Sequence, residues 1–311
     1  MRGPTVPALL SLLVLAGLLW SLRPSAPPGP DDDRGQELLL YCAAGIRLPI
    51  EELAQEYEAR YGVRVNTQFG GSGTMLSALQ AAGRGDLYLA ADDSFIETAR
   101  TKGLVAEVLP LAELRAVIGV APGNPHGVTG PADLARTDLR VGIGEPDTTA
   151  IGRTTRGLLE ETGEWAAVEA ARKVAQPTVN QLGTDLSVGA LDAAVLWDAT
   201  AVQFKQDMVR VPLFEEAPRA VSLGVLTTSE RPTAALRFAR FVTSRDVGRP
   251  VFERYGFRST ALDAWAETPR LELMCGAMLN AAIDETLRDW AAHEGAVIDF
   301  KYNGCGLLVD E

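Results

Sequence analysis

The chain has 311 residues, 47% hydrophobic and 23% charged, which is enough to bury two medium cores and ordinary for a soluble globular protein. Its 29 Lys and Arg against 41 Asp and Glu give a net charge of -12, and no basic run offsets it, which argues against nucleic acid as a partner. Two histidines and three cysteines (Cys42, Cys275 and Cys305) without a CxxC pair argue against a zinc or redox site, so buried free thiols are expected.

The chain opens with "MRGPTVPALLSLLVLAGLLWSLRPSAPPGPDDDRGQ". Arg2 precedes an uncharged apolar run from Ala8 to Trp20, the length of a secretory signal core and short for a membrane span. Export across the inner membrane is expected. Arg23, Pro24 and Pro27 crowd the place of a cleavage site, which keeps open an uncleaved anchor over residues 6–22. A stiff Pro- and Asp-rich linker completes this first region, residues 1–36.

"ELLLYCAAGIR" predicts a buried strand, and "LPIEELAQEYEARYG" a helix stopped by Gly62. "VRVNTQFGGSG" alternates as a strand and breaks at glycines, "TMLSALQAAGRG" reads as a helix, and "DLYLAAD" as a short buried strand. Strands are expected at "LRAVIGVAPG" and "LRVGIGEP", a helix at "AIGRTTRGLLEETGEW", and a strand at "RKVAQP". The helix "TVNQLGTDLSVG" leads to the strand "DAAVLW", and "AVSLGVLTT" precedes two closing helices in "PTAALRFARFVTS" and "VGRPVFERYGF". This is the grammar of parallel sheets with helices on both faces.

Residues 38–76, shifted by 233 positions without a gap, fall on 271–309. Cys42/Cys275, Ala44/Ala277, Ile50/Ile283, Gly62/Gly295, Gly71/Gly304 and Gly73/Gly306 coincide, with further identical leucine, glutamate and alanine pairs. Chance convergence of two β-α-β units does not readily supply those coincidences, so residues 266–311 are expected to be a partial second copy of the first lobe's start. Cys305 stands where the first copy has Ser72, which places the binding site in the first copy alone.

Three strand ends carry candidate anion sites. "FGGSGTM" puts glycines and the Ser72 and Thr74 hydroxyls at a helix start, "CAAGIR" lets a ligand approach the backbone, and "GEPDTTAIGRTTR" repeats the pattern before another helix. Each alone could be a β-to-α turn, but together they suggest a crevice at the carboxyl ends of parallel strands. The net negative charge does not oppose such a site, because local N–H dipoles outweigh a screened surface charge. Asp86, Asp92 and Asp93 are expected to serve as a strand end and a helix cap, Asp198 as a surface or hinge carboxylate, and Arg153 and Arg156 as solvated helix charges. His126 and His293 are isolated, and no nucleophile, base and orienting group come together, so no enzyme is expected.

From "LYCAAGIRLPIEELAQEYEARYGVRVNTQFGGSGTM" through "AVIGVAPGNPHGV", "VNQLGTDLSVGALDAAVLWDATA" and "RDVGRPVFERYGF", residues 37–260 resemble the molybdate/tungstate-binding proteins of ABC importers. The resemblance implies a type II periplasmic binding protein, an α/β fold of two Rossmann-like lobes with a hinge. It places lobe 1 at 37–118 and 219–265 and lobe 2 at 119–218. It further implies an exported receptor that closes on a tetrahedral oxyanion and delivers it to a membrane permease. Molybdate or tungstate comes first, another small oxyanion such as sulfate or an organic anion behind, and no cofactor or bound metal ion beyond the oxyanion is expected. A membrane-anchored anion sensor is the other reading.

Carried over by position, the resemblance implies contacts from Ala44 and Gly45, from Gly71, Ser72 and Gly73, from Thr149, Ala150, Ile151 and Gly152, from Val179 and Asn180, and from Trp197. Two positions depart from the family pattern. Gly45 stands where a serine is usual, and Trp197 where a tyrosine is usual, so two hydroxyl contacts are missing unless Thr148, Thr149 or Asn180 replaces them.

Overall fold

The computed structural model describes residues 35–172, 174–260, 270–294 and 296–303. The expected export segment, Gly295, Gly304, Cys305 and Gly306 lie outside the described residues, as does the side chain of His293.

The first lobe begins with strand β1 (Glu37–Ala43), whose alternate residues Leu38, Leu40 and Cys42 are fully buried. A single 3-10 turn (Ala44–Ile46) leads into helix α1 (Arg47–Tyr61). That helix buries Ile50, Leu53 and Tyr57, one face at helical spacing, and ends at Gly62 with φ 71°, a left-handed stop that glycine adopts without penalty. Tyr57 sets its ring edge-on to Phe238 and Phe241. Then come β2 (Arg64–Gly70), α2 (Ser72–Ala82), β3 (Leu87–Leu89), α3 (Asp93–Thr101) and β4 (Val105–Leu114).

Arg115 alone separates β4 from β5 (Ala116–Val120), which belongs to a different sheet. The second lobe continues with β6 (Val141–Gly144), α4 (Ala150–Glu161), α5 (Trp165–Ala171), β7 (Val174–Gln176), α6 (Val179–Ser187) and β8 (Ala193–Trp197). It ends with α7 (Asp198–Gln203), β9 (Asp207–Val209) and α8 (Pro212–Glu215). The chain then returns to the first sheet through β10 (Arg219–Leu226), followed by α9 (Pro232–Thr243), α10 (Gly248–Arg254) and β11 (Arg258–Ser259).

The strand orders are β11-β4-β10-β3-β1-β2 and β7-β6-β8-β5-β9. In each sheet three neighbouring strands run parallel, β2-β1-β3 and β7-β6-β8, while the remaining pairings are antiparallel. Both lobes therefore present a set of parallel carboxyl ends, the place where α/β sheets bind ligands.

The sequence pattern missed β4. It reads "VAEVLPLAEL", and Pro110 argues against a central strand. The ladder with β10 skips Leu111 between Pro110 and Ala112, so the proline sits at a bulge, where a missing donor is tolerated. The short α5, α7 and α8 were also illegible, being too brief for periodicity to speak.

The C-terminal unit consists of β12 (Arg270–Gly276), a 3-10 turn (Ala277–Leu279), α11 (Asn280–Glu294) and β13 (Val297–Asn303). Every one of these bounds lies 233 residues after its counterpart in β1 to β2, and the parallel register agrees too, Arg270↔Val297 against Glu37↔Arg64. Its environment differs, since Leu38 is buried while Leu271 is 38% exposed. The unit forms its own two-stranded sheet, and α11 packs against α9.

Candidate binding site

A cavity of about 20 Å³ lies between the lobes. Its lining comes from the carboxyl ends of β1, β2, β3, β7 and β8 and the turn after β6: Ala43 to Gly45, Gly70 to Ser72, Ala91, Thr149 to Ile151, Thr178 to Val179, and Trp197. Nine of the twelve expected site residues are among them. Gly73, Gly152 and Asn180 are not.

No charged side chain lines the cavity. Its polarity comes from helix N-termini at Ser72 (α2), Ala150 (α4) and Val179 (α6), reinforced by the turn at Gly45 that feeds α1. The N–H groups of Ser72, Ala150, Ile151 and Val179 have no acceptor among the described residues. Four donors without an acceptor at helix starts, with the helix dipoles behind them, have the chemistry to hold an anion.

Ser72 is 2% exposed, and its Oγ accepts a hydrogen bond from the Ala91 N–H at 3.2 Å. With that lone pair occupied, the hydroxyl proton is left to donate. Tyr88 fixes the same turn from beneath, its hydroxyl donating to the Ser72 carbonyl at 2.8 Å, and burial pushes that phenol far above its usual range.

Of the groups expected to replace the missing contacts, the Thr149 hydroxyl is engaged within the protein, and Thr148 does not line the cavity. Thr149 Oγ1 donates to the Glu145 carbonyl and accepts from the Gly152 N–H at 3.0 Å, capping α4. This commits both Thr149 and Gly152 to the protein itself. Gly152 matters for packing, because a β-carbon there would stand 2.4 Å from the Gly144 carbonyl oxygen. Thr178, unanticipated from sequence, caps α6 through the Gln181 N–H. Asn180 is not in the lining, and its Oδ1 is buried without a hydrogen-bond partner. Trp197 is 1% exposed, lines the cavity, and its indole N–H has no partner among the described residues.

The lobes touch across the cleft. Gly73 N–H donates to the Thr148 carbonyl at 3.0 Å, and a β-carbon on Gly71 would lie 2.5 Å from that same oxygen. Only glycine allows this approach. Arg153, expected to be solvated, instead stacks 3.5 Å above the Phe95 ring and donates to Ser94 Oγ, while Thr154 donates to Asp92 Oδ2 at 3.1 Å. Asp92 caps α3 through the Ser94 N–H. Arg156 pairs with Asp147 at the surface.

Asp198 is a hinge group and not a surface one. It is 3% exposed, it accepts from the backbone N–H of Arg115, and burial raises its pKa. Among the described residues no cluster of three His, Cys, Asp or Glu is placed to hold a metal ion, and no helix is long and apolar enough to cross a membrane. Cys42 and Cys275 are buried free thiols.

The comparisons with known proteins agree with this architecture. A molybdate-binding protein, ModA, of Mycobacterium tuberculosis is 26% identical over 255 residues, 80% of this chain and 95% of that protein. The periplasmic molybdate-binding protein of Azotobacter vinelandii superposes with a TM-score of 0.60 at 17% identity, covering 71% of this chain and 98% of that one. The sulfate-binding protein SubI of Mycobacterium tuberculosis gives 0.62 at 17% identity, with 72% and 87% covered. These likenesses show the type II periplasmic binding protein fold. The pattern of the bacterial extracellular solute-binding proteins matches residues 38–258, and the chain belongs to that family.

Proposed function

We propose that the protein is an exported receptor that captures a small tetrahedral oxyanion, molybdate or tungstate first, and delivers it to an ABC permease. The observation that carries this is the uncharged cavity itself, sized for one small ion and lined by unpaired N–H groups and a hydroxyl free to donate. A cation would find helix N-termini of the wrong sign, and a neutral solute would leave the N–H groups without charge to hold. The molybdate-binding relatives favour molybdate, and the sulfate-binding neighbour keeps sulfate as the competitor.

Calorimetric titration with molybdate, tungstate, sulfate and phosphate tests the reading. Saturable one-to-one binding of molybdate or tungstate is expected, and absence of binding by all four contradicts it. The coincident bounds and register of the C-terminal unit support its origin as a second copy of the first lobe's opening, without its own binding loop among the described residues.

A further inference from the structure

Position 45 carries no side chain, and the three atoms nearest to where a β-carbon would stand all belong to the second lobe. A β-carbon on Gly45 would stand 2.8 Å from Val179 Cγ1, 3.7 Å from Thr200 Oγ1 and 3.8 Å from Trp197 Cδ1. Val179 and Trp197 line the cavity; Thr200 lies one turn along α7 from Trp197.

Thr200 is 1% exposed, and its hydroxyl is buried without any hydrogen-bond partner. Thr200 is the third residue of α7, so the residue four back, Leu196, belongs to strand β8, and the hydroxyl does not bond back along the helix. Buried threonines deeper in a helix of this chain do so. Thr155 donates to Ile151 at 2.7 Å and Thr243 to Ala239 at 3.0 Å. A buried hydroxyl left unpaired calls for a ligand or an ordered water, and this one lies just behind the cavity lining, 3.7 Å from where a β-carbon on Gly45 would stand.

We infer that Thr200 is a ligand-positioning residue whose hydroxyl, together with the Trp197 indole, supplies from the second lobe the hydrogen bonding that Gly45 cannot supply from the first. The inference rests on the oxyanion reading of the cleft and deepens it. Donors moved from the first lobe to the second are engaged only when the lobes meet, so affinity becomes tied to closure.

The test is tungstate titration, with thermal melts of the ligand-free protein, on wild type, Thr200→Val and Thr200→Ser. Valine keeps the shape and removes the donor. Thr200→Val is expected to weaken tungstate binding on the order of ten- to a hundredfold while melting no lower than wild type without ligand, since it removes an unsatisfied buried hydroxyl. Thr200→Ser is expected to bind within a few-fold of wild type. Equal binding by wild type and Thr200→Val overturns the assignment, as does a loss in Thr200→Ser matching that of Thr200→Val. If wild type binds no tungstate, the oxyanion reading falls first and the role of Thr200 falls with it.

Discussion

Ser72 was legible in the sequence only through the family resemblance and the three similar strand ends taken together, since a hydroxyl between two glycines also caps ordinary helices. What it needs in order to act was not legible: the Ala91 N–H that occupies its lone pair arrives from β3, 19 residues on. Replacing Ser72 with alanine removes the ligand's donor and orphans the Ala91 N–H. It should weaken oxyanion binding on the order of tenfold or more and lower stability by about 1 kcal/mol, read by calorimetry and denaturant titration. Thr149 and Gly152 teach the opposite lesson. Both stand in the right turn, yet the cap they form with each other satisfies them internally, and sequence spacing does not distinguish a donor spent on a cap from one left for a ligand.

The β-α-β succession along the chain was readable because short apolar runs alternate with helices, but the order of strands within each sheet and their antiparallel pairings were not. The crossing at Arg115 was not, because its strand hides a proline at a bulge. Contacts between lobes were equally hidden, since Arg153 at the start of α4 meets Phe95 of α3 only once the hinge has brought them together. Arg153→Ala removes a stacking contact of about 1 kcal/mol between the two lobes, so ligand release should quicken several-fold in stopped-flow measurements. Within the second lobe, Asp192 ties β8 to the residue before β6. Its carboxylate takes hydrogen bonds from the Arg140 guanidinium and backbone N–H, which hold its pKa down to about 2. A depressed carboxylate pKa stabilises the fold above its unfolded value of about 3.9 and ceases to do so as pH falls through the folded value. Asp192→Asn should therefore melt several degrees lower than wild type at neutral pH, with the gap closing as pH falls from about 4 toward 2.

The molecule as a whole consists of two lobes whose facing strand ends leave a space with donors but no charge. The C-terminal unit stands apart from that space: it pairs only with itself and leans on α9, with Met278 and Leu279 exposed. A protein ending at residue 260 should bind its ligand with unchanged affinity, and a large loss would assign the unit a part in the cleft. The proposed repeat was read from coincident cysteines and glycines; Cys42 and Cys275 fall at the same register position of corresponding strands, while Gly295, Gly304 and Gly306 lie outside the described residues. The decisive measurement is a crystal structure of the protein grown with tungstate, using the anomalous scattering of tungsten to locate it. A single peak is expected between Ser72, Ala150 and Val179, within hydrogen-bond distance of their N–H groups. A saturated crystal with no peak there, or with its peak elsewhere, would contradict the assignment of the cleft.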